Sequence, residues 1–358
     1  MRLLCFYSPM LTLPAAVPDL TAAWLSAVLG ADVVDVQVLD RAVATNQRAR
    51  VGLTYADDGA GPRSLFVKLP PLDPAHREMI SASGMGRREA EFYADVAPSV
   101  DLRVPRSYYA ASADDGGFVL LLEDLAAAGS AFSDGGWGVS ADAAAGALEE
   151  LARFHARFAD PSTRASVAPW LAVPRARRAA ATAERLRAVL AAHGDVLTPA
   201  YVAAGQLYVD HHDRVDDLWN SGPQTYIHGD PQIGNVFVDG GRVGFIDWGL
   251  SRVSTPLRDV SYFLTMTVDP EARQRSEREL LHLYLDALAA AGGPRIGRDE
   301  AWTTYRLQAG YTVVATFLAF MPSYASGDGR GLGEALRRRS ELALDDLEAV
   351  DAMREALG

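Results

Sequence analysis

The sequence predicts an α+β protein in which a small antiparallel β part comes first and a large helical part follows. Three observations carry this expectation. Five short β-type runs fall before residue 124, and most of their connections are too short for parallel crossovers. From Asp142 onward apolar residues recur at the helical period, as in Leu148, Leu151, Phe154, His155 and Phe158. Between the two parts, Ala126 to Gly138 is rich in Gly, Ser and Asp and reads as a loop. The expected division is an N-terminal unit over residues 1–123 and a C-terminal unit over residues 124–358.

Taken in order, Leu20 to Leu29 reads as a short helix, and Val33 to Leu39, Ala49 to Tyr55 and Ser64 to Leu69 as strands. Gly59, Gly61 and Pro62 mark the turn between the last two. A charged helical stretch over Arg87 to Val96 precedes two more strands, Ser107 to Ala111 and Phe118 to Leu122. The later helices are expected at Ala143 to Phe158, Ala176 to His193, Pro199 to Asn220, Pro270 to Ala291, Asp299 to Phe320 and Gly333 to Leu357. One hairpin interrupts them: Val236 to Val238, a turn at Asp239-Gly240-Gly241, then Val243 to Ile246.

The 358 residues are 49% apolar with a mean hydropathy near zero, enough for two units with cores of their own. A net charge of −12 gives no basic field to collect nucleic acid. Cys5 stands alone, which excludes an intramolecular disulfide and suits a reducing compartment. No apolar run approaches the ~20 residues of a membrane span. Pro9 and Pro14 break the apolar start, so the expected location is the cytoplasm. Of 34 basic residues only Lys68 is a lysine, and it ends the apolar run Leu65-Phe66-Val67. A lysine kept there points to a site that needs a compact ammonium, which a planar guanidinium does not replace.

The chemistry gathers around the hairpin. His228-Gly229-Asp230-Pro231-Gln232-Ile233-Gly234-Asn235 stands before it, and Ile246-Asp247-Trp248-Gly249 after it. A hairpin brings Asp230, Asn235 and Asp247 to one end. Phosphoryl transfer needs such a set: a carboxylate to take the proton of the attacking hydroxyl, and hard oxygen ligands for Mg²⁺. Asn235 and Asp247 suit the metal, and Asp230 suits the base. The rival reading of an Asp- and Gly-rich loop that merely turns the chain explains His-Gly-Asp alone, but not the whole constellation.

His-Gly-Asp-x-x-x-x-Asn followed by a hairpin and Ile-Asp-Trp resembles the aminoglycoside phosphotransferase and choline kinase superfamily. The stretch Tyr226 to Leu264, with Asp259-x-x-Tyr262-Phe263-Leu264, is most similar to bacterial ecdysteroid-kinase-like phosphotransferases. The resemblance runs from about Val33 to Leu264 and implies a protein-kinase-like two-lobed fold, with a nucleotide-binding N-lobe and a catalytic, substrate-binding C-lobe. It implies ATP (or GTP) and Mg²⁺ as cofactors and a small hydroxylated molecule as acceptor, with no nucleic acid or membrane partner, in a monomer or homodimer. It also implies that Lys68 touches the nucleotide phosphates and that Glu89 pairs with it, Glu91 being the alternative. The hinge would be Leu122-Glu123-Asp124-Leu125, whose backbone at Glu123 and Leu125 would read adenine. Asp259 would brace the catalytic loop and His228 would order it. The glycine-rich phosphate loop is where the match departs: Arg41 to Arg48 holds no glycine, so Thr45, Asn46 and Gln47 are the candidates to meet phosphate.

Two rivals are weighed. A protein kinase would carry His-Arg-Asp and a longer segment than Gly249 to Asp259 for peptide docking. A non-catalytic nucleotide binder has no need of Lys68, Glu89, Asp230, Asn235 and Asp247 together. Gly327 to Gly333 follows a helix with no strand before it and reads as a connection, not a phosphate loop. His211-His212-Asp213 reads as helix surface, His155 as a satisfied core histidine, and the arginines at 175, 177, 178, 185 and 187 as a solvated face. The aromatic helix with Trp302, Tyr305, Tyr311, Phe317 and Phe320 favours an acceptor with apolar surface over a polycation, but names no substrate.

Overall fold

The computed structural model describes residues 11–43, 46–172, 179–320 and 330–358. The chain divides into two compact units, Met1–Ser99 with Val104–Gly129 and Trp248–Leu250, and Val100–Arg103 with Ser130–Asp247 and Ser251–Gly358.

The first unit is built on a five-stranded antiparallel sheet: β1 (Val33–Val43), β2 (Gln47–Tyr55), β3 (Ser64–Leu69), β4 (Ser107–Ser112) and β5 (Phe118–Glu123), in the order β1-β2-β3-β5-β4. Period-two alternation sets its inner face. In β2, Ala49, Val51 and Leu53 are buried between more exposed neighbours, and Leu65, Val67 and Leu69 of β3 join them against Leu25 of α1 (Ala22–Leu29). Lys68 therefore points to the opposite face, yet it is only 4% exposed.

Two helices follow β3. The first, α2 (Pro74–Ser83), was not among the expected elements, because it is short, polar and lacks an apolar stripe. Its ends are nonetheless written in the chain. Asp73 caps the His76 N–H at 2.8 Å, Pro74 fills the first turn, and Gly84 closes it at φ 66°. The second, α3 (Met85–Glu91), runs into a π-helical turn at Phe92–Val96. Gly86 lets α3 approach the Phe118 ring of β5, where a Cβ would collide. The Phe92 ring stacks on Trp248 at a centroid distance of 3.8 Å.

The second unit is helical: α4 (Ala141–Arg157), α5 (Pro161–Val167), α6 (Ala179–His193), α7 (Pro199–Trp219), α8 (Pro256–Thr267), α9 (Pro270–Ala290), α10 (Arg298–Ala309), α11 (Thr312–Thr316), α12 (Arg330–Asp346) and α13 (Ala349–Leu357). Two small antiparallel pairs complete it, β6 (Thr225–Ile227) with β9 (Arg252–Ser254) and β7 (Val236–Asp239) with β8 (Arg242–Phe245). Helix α8 was not expected, and the reason is its burial. Every residue from Pro256 to Thr267 is buried, so no polar face marks a 3.6 period.

Two expected helices are broken. The one over Asp299 to Phe320 stops at Gly310, against which Met353 packs so closely that a Cβ would strike its sulfur. The one over Gly333 to Leu357 breaks at Glu348, which is left-handed at φ 46°. There Arg306 donates to the freed Leu347 carbonyl at 2.7 Å and to Glu348 Oε2 at 2.9 Å. The expected start of α6 at Ala176, with Arg175, Arg177 and Arg178, and residues 327–329 of the stretch Gly327 to Gly333 lie outside the described residues.

Candidate active site

The catalytic-loop sequence leaves β6 and bends at once. Gly229 sits at φ 84°, a conformation that side chains rarely adopt, and the bend turns two consecutive N–H groups toward one carboxylate. His228 N–H donates to Asp259 Oδ2 at 2.6 Å and Gly229 N–H to Asp259 Oδ1 at 2.8 Å. Asp259 comes from the first turn of α8 and is fully buried. Its Oδ2 also faces His155 Nε2 at 3.3 Å, and His155 Nδ1 meets the Tyr284 hydroxyl at 2.8 Å. Burial pushes the Asp259 carboxyl up. The His155 bond and the Gly229 N–H are among the contacts that outweigh that and leave it below its ordinary value.

His228 ties the loop to the far end of the hairpin. Its Nδ1 accepts from the Asp230 N–H at 3.2 Å, so its Nε2–H donates to the Ile246 carbonyl at 2.9 Å. Burial holds this imidazole below its ordinary value, which keeps it neutral and in that tautomer.

Asp230, Asn235 and Asp247 are brought together by the strand register. Val236 faces Phe245 across β7 and β8, and Ile246 N–H donates to the Asn235 carbonyl at 2.9 Å, so Asp247 follows directly opposite Asn235. Asn235 Nδ2 donates to Asp230 Oδ2 at 2.8 Å and to the Asp230 carbonyl at 3.0 Å. Both amide hydrogens thus point at Asp230, and the amide oxygen is left to accept from something else. Asp247 is held at φ 61°, an uncommon conformation for a residue with a Cβ and one found at functional sites. Burial and then the Asp247 charge push the Asp230 carboxyl up to about 8, against the opposing pull of Tyr262 and Asn235. Two close carboxylates and an oxygen-donating amide are the donor set of a hard dication, and they fit Mg²⁺. Among the described residues no group of three or more His, Cys, Asp or Glu is arranged around a metal. Mg²⁺ asks for less, since it keeps waters and takes few protein ligands.

In the first unit Lys68 Nζ meets Glu89 Oε2 at 2.6 Å, both buried, whereas Glu91 takes Arg87 Nε at 2.8 Å. Glu123 and Leu125 close on each other, the Leu125 N–H donating to the Glu123 carbonyl at 3.1 Å. Between them Asp124 receives a two-pronged bond from Arg50, with Nε to Oδ1 and Nη2 to Oδ2 both at 2.9 Å. Asn46 is buried and its Oδ1 has no hydrogen-bond partner among the described residues. Gln47 is committed elsewhere, to the carbonyls of Ala15 at 2.9 Å and Pro70 at 2.5 Å. Thr45 lies outside the described residues.

Tyr262 and Tyr311, noted in the sequence without a role at the site, and Arg258, not noted there, also reach it. The Tyr262 phenol faces Asp230 from one turn beyond Asp259 on α8, and the 259/262 spacing is the signal that places both on one helix face. Arg258 and Tyr311 stand behind it, with the Arg258 guanidinium 3.6 Å from the centre of the Tyr311 ring. His211 and Asp213 are exposed, as expected of helix surface.

A model of the phosphotransferase enzyme family matches residues 47–299. No curated protein sequence is significantly similar to the chain. Among solved structures, the fold is similar to a protein of Ralstonia eutropha JMP134 provisionally assigned as an aminoglycoside phosphotransferase. That match has a TM-score of 0.53 at 14% identity and covers 91% of this chain and 97% of the other. It is also similar to choline kinase LicA of Streptococcus pneumoniae, with a TM-score of 0.50 at 13% identity over 90% and 96% of the two chains. At these identities the likeness speaks for the fold, which is α+β and protein-kinase-like. No helix among the described residues is long and apolar enough to cross a membrane.

Proposed function

The chain belongs to the phosphotransferase enzyme family, and from that premise we propose that it is a small-molecule kinase moving the γ-phosphoryl group of ATP to a hydroxyl. The observation that carries this reading is the gathering of Asp230, Asn235 and Asp247 at one end of the hairpin. Desolvation and then the Asp247 charge push the Asp230 carboxyl up to about 8, while the Asn235 amide directs both its hydrogens at Asp230.

Asp230 orients the acceptor hydroxyl and takes its proton. The acceptor oxygen forms a new bond to the γ-phosphorus, and the bond to the bridging oxygen breaks with its electron pair going to ADP. Asn235 and Asp247 would hold Mg²⁺, which when bound would supply positive charge against that of Asp247 and of the nucleotide phosphates. Lys68, steadied by Glu89, meets the phosphates, and the backbone at Glu123 and Leu125 reads the base once Leu125 N–H releases its turn. In this reading Thr45 and Asn46 take the part of a glycine-rich loop in meeting phosphate. His228 and Asp259 position the loop. In this reading residues 1–123 serve the nucleotide and residues 124–358 serve catalysis and the acceptor, in the cytoplasm.

The test is mass spectrometry of hydroxylated metabolites and natural products incubated with protein, Mg²⁺ and ATP or GTP, with Asp230→Asn as control. The expected result is a product 80 Da heavier (the mass of one added phosphoryl group, ~80 Da) whose formation falls about 10²- to 10⁴-fold in Asp230→Asn. Calorimetric Mg-ATP affinity should stay nearly unchanged in that variant. Near-normal turnover in Asp230→Asn removes the role given to that residue. Absence of both product and nucleotide binding favours a non-catalytic descendant of a kinase.

A further inference from the structure

Buried charge that nothing among the described residues balances points to a ligand, and α8 carries such a charge. Arg258 is 4% exposed, yet its Nε and Nη1 have no hydrogen-bond partner and its guanidinium makes no ion pair with a carboxylate among the described residues. Burying guanidinium N–H groups without acceptors is costly, and deep burial of an arginine is ordinarily repaid by a carboxylate. The nearby acids are engaged elsewhere. Asp259 binds the catalytic loop and His155, Asp230 binds Asn235, and Asp216 receives the Tyr208 hydroxyl at 3.4 Å. What Arg258 does have is the Tyr311 ring lying on its face at 3.6 Å. A ring satisfies the face of a guanidinium by cation–π attraction and leaves its in-plane N–H donors unanswered.

The place of this charge decides what it would bind. The Tyr311 ring packs edge-on against Tyr262 at a centroid distance of 5.5 Å, and Tyr262 faces Asp230. Tyr262 feels the charges of both Asp230 and Arg258, so the base and the free cation flank one aromatic wall. Tyr311 and Asp230 are partly exposed, so this wall reaches solvent. Burial pushes the Tyr311 phenol up, but the charges of Arg258 and Arg252 and a side-chain hydrogen bond from Arg258 outweigh it and leave it below its ordinary value.

We propose that Arg258, with Tyr262 and Tyr311, forms an anion subsite beside Asp230, so that the acceptor carries a carboxylate or phosphate group near the hydroxyl to be phosphorylated. This rests on the reading of Asp230 as the residue that receives that hydroxyl. The guanidinium suits either group, because both present oxygen pairs to its planar donors. The aromatic wall takes the carbon skeleton between the two polar ends.

The experiment measures dissociation constants by calorimetry on protein saturated with Mg-ADP. The probes are hydroxycarboxylates and glycerol phosphates, each set beside its neutral amide or alcohol, and choline and ethanolamine as cationic alcohols. In the wild type, at least one anionic probe should bind tenfold or more tightly than its neutral partner. In Arg258→Met that preference should fall about 10- to 100-fold. Arg258→Lys keeps the charge without the planar fork and should fall in between, which also guards against a Met variant that fails to fold. The carboxylate and phosphate arms tell the two sources of anion apart. Equal binding of neutral partners, preference for the cationic alcohols, no binding of any anionic probe, or an unchanged preference in Arg258→Met with its fold intact each overturns the proposal. Phosphorylation of a neutral or cationic acceptor would overturn it while leaving the kinase reading standing. Loss of Mg-nucleotide binding in the wild type would strike the kinase reading instead, and the probe titration would still decide the anion subsite.

Discussion

Replacing Asp259 by alanine should cost more stability than any other single change in the second unit's loop. The carboxylate is fully buried and accepts two backbone N–H groups, at 2.6 and 2.8 Å, with His155 Nε2 at 3.3 Å beyond them. Hydrogen bonds to a charged group contribute about 1.5–3 kcal/mol each, and an orphaned buried N–H is costly in its own right. Two such bonds, shared in one cluster and therefore not fully additive, give about 3–5 kcal/mol for Asp259→Ala. Asp259→Asn keeps one accepting oxygen and should lose about half of that. Urea unfolding followed by near-UV circular dichroism reads the loss as a lower midpoint for the transition of the second unit.

The pH dependence of that loss is a second signature. The Asp259 carboxyl lies below its ordinary value of 3.8 in the folded protein, so folding favours its charged form. Its contribution is therefore complete above that ordinary value and disappears as pH falls through the depressed folded value. The gap between wild type and Asp259→Ala should be flat from neutral pH down to about 4 and then narrow toward more acid conditions. A loss under about 1 kcal/mol, or a gap that widens in acid, would refute the view that this carboxylate holds the loop as an anion.

Other perturbations probe the remaining parts. Lys68→Met should leave Glu89 buried without its ammonium partner at a cost of about 3–5 kcal/mol, and Lys68→Met with Glu89→Gln should recover much of it, both read by thermal unfolding. Asp247→Ala should abolish Mg²⁺-dependent nucleotide binding in calorimetry while leaving the fold intact, and wild type stripped of Mg²⁺ by chelator should match it. Gly86→Ala places a methyl group against the Phe118 ring, and overpacking there should cost about 1–3 kcal/mol in chemical denaturation.

The sheet and the hairpin were legible in the chain because their signals are local. The β3 boundaries, Ser64 and Leu69, follow from alternation ending at a proline, and the hairpin turn follows from Asp239-Gly240. Where local signals were absent or overruled, the reading of the chain fell short. Helix α8 has no polar face to give it a period. Met353 packs on the break at Gly310 and Arg306 finishes the break at Glu348, both from distant parts of the chain, where tertiary context overrides local propensity. The resemblance put Glu89 ahead of Glu91 as the partner of Lys68, and the structure pairs Lys68 with Glu89, 21 positions on, while Glu91 takes Arg87.

By itself the sequence determined the order of β and helical parts and the grouping of Asp230, Asn235 and Asp247. It did so because a tight hairpin fixes the distance between its own ends whatever surrounds it. Only the tertiary structure decided what presses on those residues. His155 and Tyr284 reach the loop brace from 104 and 129 positions apart, measured from His155 to Asp259 and to Tyr284. Arg258 stands next to Asp259 in the chain, yet one side chain is enclosed by partners and the other by an aromatic ring and nothing anionic. Adjacent residues on a helix point about 100° apart, so neighbours in sequence enter different surroundings, and it is the surroundings that give a buried charge its task.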